Sequence, residues 1–172
     1  MSVKKRYVQV GTGGRARMFY EAIATVYRQE CELVAFCDMS QVRMDFSNRI
    51  LTDECDHPAV KTYKHTEFDR MIDEMKPDVV IVTTVDRTHD YYIIRAMEKG
   101  CDVLTEKPIT TDEVKAQAIL DAQKRTGRSI RVTFNYRYAP HHSKIRELIR
   151  DGAVGEVYLI HFEWLLITEP GA

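Results

Sequence analysis

The run Gly11-Thr12-Gly13-Gly14-Arg15-Ala16 places small residues at the spacing G-x-G-x-x-A. What this spacing offers is backbone chemistry. Gly11 can take a tight turn, and the missing side chain at Gly13 lets the chain approach a diphosphate closely. Ala16 is small enough for a following helix to pack on the preceding strand. The first turn of such a helix leaves N–H groups without partners and carries a partial positive charge, so a phosphate is a natural ligand. Asp38 lies 22 positions after Ala16, close to the ~20 expected of an acid that binds ribose hydroxyls. The pattern predicts NAD binding. A carboxylate at Asp38 repels a 2′-phosphate, which makes NADP the poorer ligand, and Arg43 is the nearby cation that could offset this repulsion.

These residues need a strand before the turn, a helix after it and a second strand ending at Asp38. Tyr7-Val8-Gln9-Val10 and Leu33-Val34-Ala35-Phe36-Cys37 are the two apolar runs. Between them Ala16, Phe19, Tyr20, Ile23, Ala24 and Tyr27 recur at helical spacing and predict one buried face. A helix over Gln41–Leu51, a loop over Thr52–Ala59 and a short strand over Val60–Tyr63 follow. Thr66 is placed to cap a helix carrying Phe68, Met71, Ile72 and Met75, which Pro77 stops. Asp78–Thr83 is a continuous β-branched run, as in a parallel strand buried on both faces. A helix from Thr88 to Lys99 stops at Gly100, and Cys101–Thr105 reads as a strand. Thr110 and Glu113 have capping-box spacing for a helix ending near Gly127, and Ser129–Phe134 is one more strand. Such alternation predicts an α/β fold with a doubly wound parallel sheet.

The pattern changes near Tyr138. Pro140 opens a short helix with Ile145, Leu148 and Ile149 on one face, and Gly155–Ile167 alternates as a long strand. We therefore expect a dinucleotide-binding domain over 1–137 and, over 138–172, the start of an incomplete α+β domain. A long apolar strand with unpaired edges is an aggregation hazard or an oligomer contact, which points to a homo-oligomer formed through the second domain.

Composition narrows the partners. The 172 residues are 44% hydrophobic and 30% charged, with a formal net charge of −1. That balance gives no reason to expect nucleic acid or a membrane surface. No apolar run approaches the ~18 residues of a membrane-spanning helix, and the start has no apolar signal core. Cys31, Cys37, Cys55 and Cys101 form no C-x-x-C pair, so no metal site is expected and a reduced, cytoplasmic setting is.

Leu104-Thr105-Glu106-Lys107-Pro108 closes the strand that follows the buried parallel one. With Pro77–Thr84 and His89, Ala96–Gly100, Asn135–Pro140 and Gly152–Val157, it resembles the glucose–fructose oxidoreductase, inositol dehydrogenase and MocA-like family from about Tyr7 to Trp164. The resemblance implies that Lys107 sits beside the nicotinamide and contacts the reacting hydroxyl, with a cis peptide bond before Pro108. It implies that Glu106 lies near the nicotinamide ribose and that Thr83, Thr84 and His89 line the cofactor cleft. Arg137 would approach the nicotinamide end. His89 has an equally simple alternative, a helix N-terminal histidine bonded to backbone.

The implied activity is hydride transfer between NAD and a hydroxyl of a sugar-like or cyclitol substrate. Two alternatives stay open: an NAD-dependent glycosidase of the same family, and a non-catalytic cofactor-binding or assembly module. The family's substrate-binding Asp and His have no counterpart after Trp164, and none of His141, His142 or His161 is assigned catalysis.

Overall fold

Val79-Val80-Ile81-Val82 is buried at every position, and such a strand needs a neighbour on each edge and a layer on each face. A computed structural model, describing residues 3–163 and 165, supplies both. Six strands, β1 (Lys5–Val10), β2 (Cys31–Asp38), β3 (Lys61–Lys64), β4 (Val79–Val82), β5 (Asp102–Glu106) and β6 (Ile130–Thr133), pair in the order β3-β2-β1-β4-β5-β6. Every pairing is parallel. The helices are α1 (Arg17–Ala24), α2 (Gln41–Glu54), α3 (Phe68–Met75), α4 (His89–Glu98), α5 (Glu113–Thr126) and α6 (Pro140–Arg150). The first five cover the sheet, and α6 belongs to a separate unit that begins at Phe134.

Strand alternation divides the core in two. Val8, Val10, Val80, Val82 and Val103 face Met71, Ile93, Met97 and Ile119 of α3, α4 and α5. Leu33, Phe36 and Ile81 face Phe19, Tyr20, Met44 and Leu51 of α1 and α2. This is a doubly wound sheet, as predicted. The chain leaves β1 towards β2 and β3, then returns across β1 to build β4, β5 and β6. The reversal opens a crevice at the carboxyl ends of β1 and β4, where open α/β sheets bind ligands.

Several local expectations are corrected. Helix α1 ends at Ala24, so Tyr27 falls in the following turn and is 52% exposed. Helix α2 runs on to Glu54, three residues into the expected loop. Asp112 rather than Thr110 caps α5, its side chain accepting from Lys115 N at 2.9 Å, because the shorter reach to the third residue on satisfies a first-turn N–H. A 3₁₀ turn over His65–Glu67 precedes α3, and Thr66 caps nothing.

The second unit has a 3₁₀ turn at Asn135–Tyr138 and then α6. The expected strand over Gly155–Ile167 is absent among the described residues, which show no strand from Gly155 to Glu163. Strand hydrogen bonds run between chains of a ladder, and the described part of this unit holds no second strand. Tyr158 and Leu159 are accordingly 94% and 77% exposed. Trp164, Leu166 and Ile167 lie outside the described residues. Among the described residues, no helix is long and apolar enough to cross a membrane, and no cluster of His, Cys, Asp or Glu could hold a metal ion.

Candidate functional site

Gly11 follows β1 with φ +86°, and a Cβ there would lie 2.6 Å from the carbonyl carbon and oxygen of Thr83. Its N–H donates to the Cys37 carbonyl at 2.8 Å. The position is therefore fixed by the fold itself, where β1 passes the end of β4. Gly13 differs. Its backbone is extended, with φ −71° and ψ −178°, a conformation open to any residue. A Cβ on Gly13 or Gly14 would meet no protein atom within 4 Å. The side-chain-free surface at these two glycines faces open space. Ala16, by contrast, is fully buried under the turn.

Two side chains brace the turn from beneath. The Thr83 hydroxyl donates to the Gly11 carbonyl at 2.7 Å and accepts from Gln9 Nε2 at 3.0 Å. Gln9 also donates to the Ala16 carbonyl at 3.1 Å. Asp38, only 7% exposed, ties the turn to the end of β2. Its Oδ2 accepts from Thr12 N at 2.6 Å and from Thr12 Oγ1 at 3.0 Å, and its Oδ1 accepts from Ser40 N at 2.8 Å.

The turn forms one wall of a cleft of about 400 Å³, which Gly13, Gly14, Arg15, Asp38, Thr83 and Thr84 help to line. Arg43, His65 and Arg87 line it too, as does Tyr92. Burial pushes the Cys37 thiol and the Tyr92 hydroxyl up to about 12, so both stay neutral. Asp38 is thus the acid of the lining, against three arginines and a histidine. The balance suits an anionic ligand. Arg87 was not foreseen. It stands in the loop Thr84–Thr88, whose backbone Lys115 anchors through the Arg87 carbonyl at 2.6 Å.

At the end of β5, Glu106 is 4% exposed. Its Oε1 meets Arg15 Nε at 3.4 Å and accepts from Thr133 Oγ1 at 3.3 Å, while its Oε2 accepts from Lys107 N at 3.0 Å. The Arg15 pair brings the glycine turn beside Lys107, whose side chain is exposed and has no partner among the described residues. The Lys107–Pro108 bond is cis.

His89 takes the second of its two readings. It is 1% exposed and absent from the cleft lining, with Nδ1 2.8 Å from the Pro108 carbonyl and Nε2 3.1 Å from that of Thr84. The ring joins the two loops through these carbonyls, because α4 begins at His89 and points it into the protein. Arg137 lies in the 3₁₀ turn of the second unit and lines, with Arg146 and Arg150, a hollow of about 380 Å³ there.

The residues fit a dinucleotide. Nothing in the protein forbids side chains at Gly13 and Gly14, so the cradle a Cβ would fill is space kept for something else. A profile of the Gfo/Idh/MocA family, described as an oxidoreductase family with an NAD-binding Rossmann fold, matches residues 5–134. The chain belongs to this family. The Gfo/Idh/MocA relatives include the putative oxidoreductase YteT of Bacillus subtilis, 32% identical over 98% of this chain and 39% of its own length. The D-glucoside 3-dehydrogenase of Escherichia coli is 30% identical over 77% of this chain and 35% of its own. A scyllo-inositol dehydrogenase from Lactobacillus casei, solved with NAD(H) and scyllo-inositol, shares the fold at TM-score 0.75 and 21% identity, covering 90% of this chain and 43% of that one. The chain spans less than half the length of these proteins. Its first unit is the family's NAD-binding domain.

Proposed function

We propose that this protein is an NAD-dependent dehydrogenase acting on a hydroxyl of a sugar-like or cyclitol substrate. The observation that carries the reading is the Arg15–Glu106 contact at 3.4 Å. It brings the end of β5, where Glu106 accepts from the Lys107 backbone N–H, beside the glycine turn of a dinucleotide cleft. The chemistry that bound NAD would supply is a hydride acceptor for the substrate carbon. This chain's own residues would bind and orient the cofactor. Free N–H groups at Gly13 and Gly14 would receive the diphosphate, and Asp38 the adenosine ribose. Lys107 Nζ would donate a hydrogen bond to the reacting oxygen and favour loss of its proton. Sugar or cyclitol substrates are supported by the named relatives, a D-glucoside 3-dehydrogenase and a scyllo-inositol dehydrogenase.

A reduced, cytoplasmic setting is supported by four free thiols. A homo-oligomer is supported by the exposed Tyr158, Leu159 and Ile160 of the second unit.

The test is NADH formation by the protein across a panel of polyols and glycosides, unmodified and as Lys107→Met. NADH should form with the unmodified protein and fall about a hundredfold or more in the variant, the usual worth of a proton-transfer group, while NAD affinity is kept. Sugar release from an aryl glycoside without net NAD reduction would instead establish the glycosidase. NAD binding with turnover of no substrate would establish the assembly module.

A further inference from the structure

Glu106 is a buried acid paired with Arg15, a residue of the cleft that would take the diphosphate. Its side chain is 6% exposed, and its two hydrogen-bond donors, Lys107 N and Thr133 Oγ1, are neutral. Arg15 is its one ion-pair partner among the described residues. The nearest other cation in sequence, Lys107, gives only its backbone N–H. The Arg15 side chain is 47% exposed, its Nε stands 3.4 Å from Glu106, and the same residue lines the cleft beside Gly13 and Gly14. The guanidinium has five N–H donors in a fixed fork. Its terminal nitrogens meet no acceptor among the described residues. One side chain therefore stands between a buried protein anion and the place where a ligand anion goes.

We propose that Arg15 is the counter-charge that lets Glu106 sit beside the phosphate cradle, and that without it the Glu106 carboxylate repels the ligand's diphosphate. This rests on the cofactor reading above and adds a mechanism to it. A buried like charge acts through a medium that screens poorly, so removing the cation costs affinity even where the glycine turn is intact. Removing the acid as well removes the repulsion. Arg15 is on this view a positioning and charge-balancing residue, and Glu106 is retained for its hold on the Lys107 backbone.

The test is calorimetric titration of NAD and of ADP into five forms of the chain at low salt: unmodified, Arg15→Met, Arg15→Lys, Glu106→Gln and the double variant Arg15→Met/Glu106→Gln. Arg15→Met should bind both ligands about tenfold more weakly, the scale of one charge-assisted contact. Arg15→Lys keeps the charge and should stay within about threefold of the unmodified chain, and Glu106→Gln, which leaves the Arg15 charge uncompensated, should bind ADP more tightly. The double variant should recover most of the loss. Urea midpoints taken in parallel show which forms are folded, and Arg15→Gln replaces Arg15→Met if the latter is not. A double variant as weak as Arg15→Met overturns the proposal, since Arg15 would then serve only as a phosphate ligand. Unchanged binding by Arg15→Met overturns it as well. Failure of the unmodified, folded chain to bind NAD or ADP would overturn the cofactor reading itself, a result separate from either.

Discussion

Replacing Gly13 by alanine should make the protein more stable and a poorer NAD binder. The backbone at Gly13 sits at φ −71° and ψ −178°, and a Cβ would meet nothing within 4 Å. The folded state therefore gains no strain. The unfolded chain loses freedom, which for a Gly→Ala change at a compatible site stabilises by ~0.4–1 kcal/mol. For a chain of this size each kcal/mol moves the melting temperature by ~2–4 °C, so a rise of ~1–4 °C is expected. In the cleft the same methyl occupies the space at the phosphate cradle. Loss of one hydrogen bond to a charged group, ~1.5–3 kcal/mol, weakens NAD by roughly ten- to a hundredfold. Gly11→Ala is the control with the opposite profile. Its φ is +86° and its Cβ would stand 2.6 Å from the Thr83 carbonyl. The left-handed conformation costs ~1–2 kcal/mol before any movement of β4, so a total of about 3 kcal/mol and a drop of ~6–12 °C follow. Thermal melts and NAD calorimetry on the two variants read both quantities. A Gly13→Ala protein that melts lower, or that binds NAD as tightly as the unmodified chain, would refute the reasoning.

Three further outcomes follow from the same structure. Asp38→Ala strands the N–H groups of Thr12 and Ser40 and should cost about 3 kcal/mol in urea unfolding; an unchanged midpoint would show that Asp38 does not hold the turn. Hydrogen bonds from Arg95 hold the Asp69 carboxyl below its usual range. A depressed folded value gives stability that is present above the unfolded carboxylate value of ~4 and is lost as pH falls below it. Both side chains are about 40% exposed, which limits the effect to about 1 kcal/mol. Arg95→Gln should flatten that acid limb in melts taken against pH, and an unchanged limb would contradict the assignment. Burial pushes the Cys37 thiol up to about 12 and Cys101 up to about 11. Mass mapping at pH 8 should find both unalkylated in the native protein and modified in urea; rapid native alkylation of either would contradict their burial.

The sheet was legible because its signals are local. Val79–Val82 is apolar at every position, and the glycine turn and Asp38 sit at fixed offsets from their strands. The pairing of Arg15 with Glu106 gave no such signal, since it needs β5 to lie one strand beyond β4. His89 shows the same limit. Its place at the start of α4 was readable, but the Pro108 carbonyl that captures its ring comes from another loop. The Thr110–Glu113 spacing predicts a cap that the backbone geometry gives to Asp112 instead. The Gly155–Ile167 alternation is a true pattern, but a pattern forms a strand only where a neighbour accepts its hydrogen bonds.

The central claim is that the glycine turn and Asp38 form a site for NAD. The direct measurement is calorimetric titration of the folded chain with NAD and then with NADP. One-to-one saturation by NAD, with weaker NADP binding and a narrower gap in Asp38→Ala, is the expected result. A folded chain that takes up no NAD, or that binds NADP more tightly, would contradict the claim.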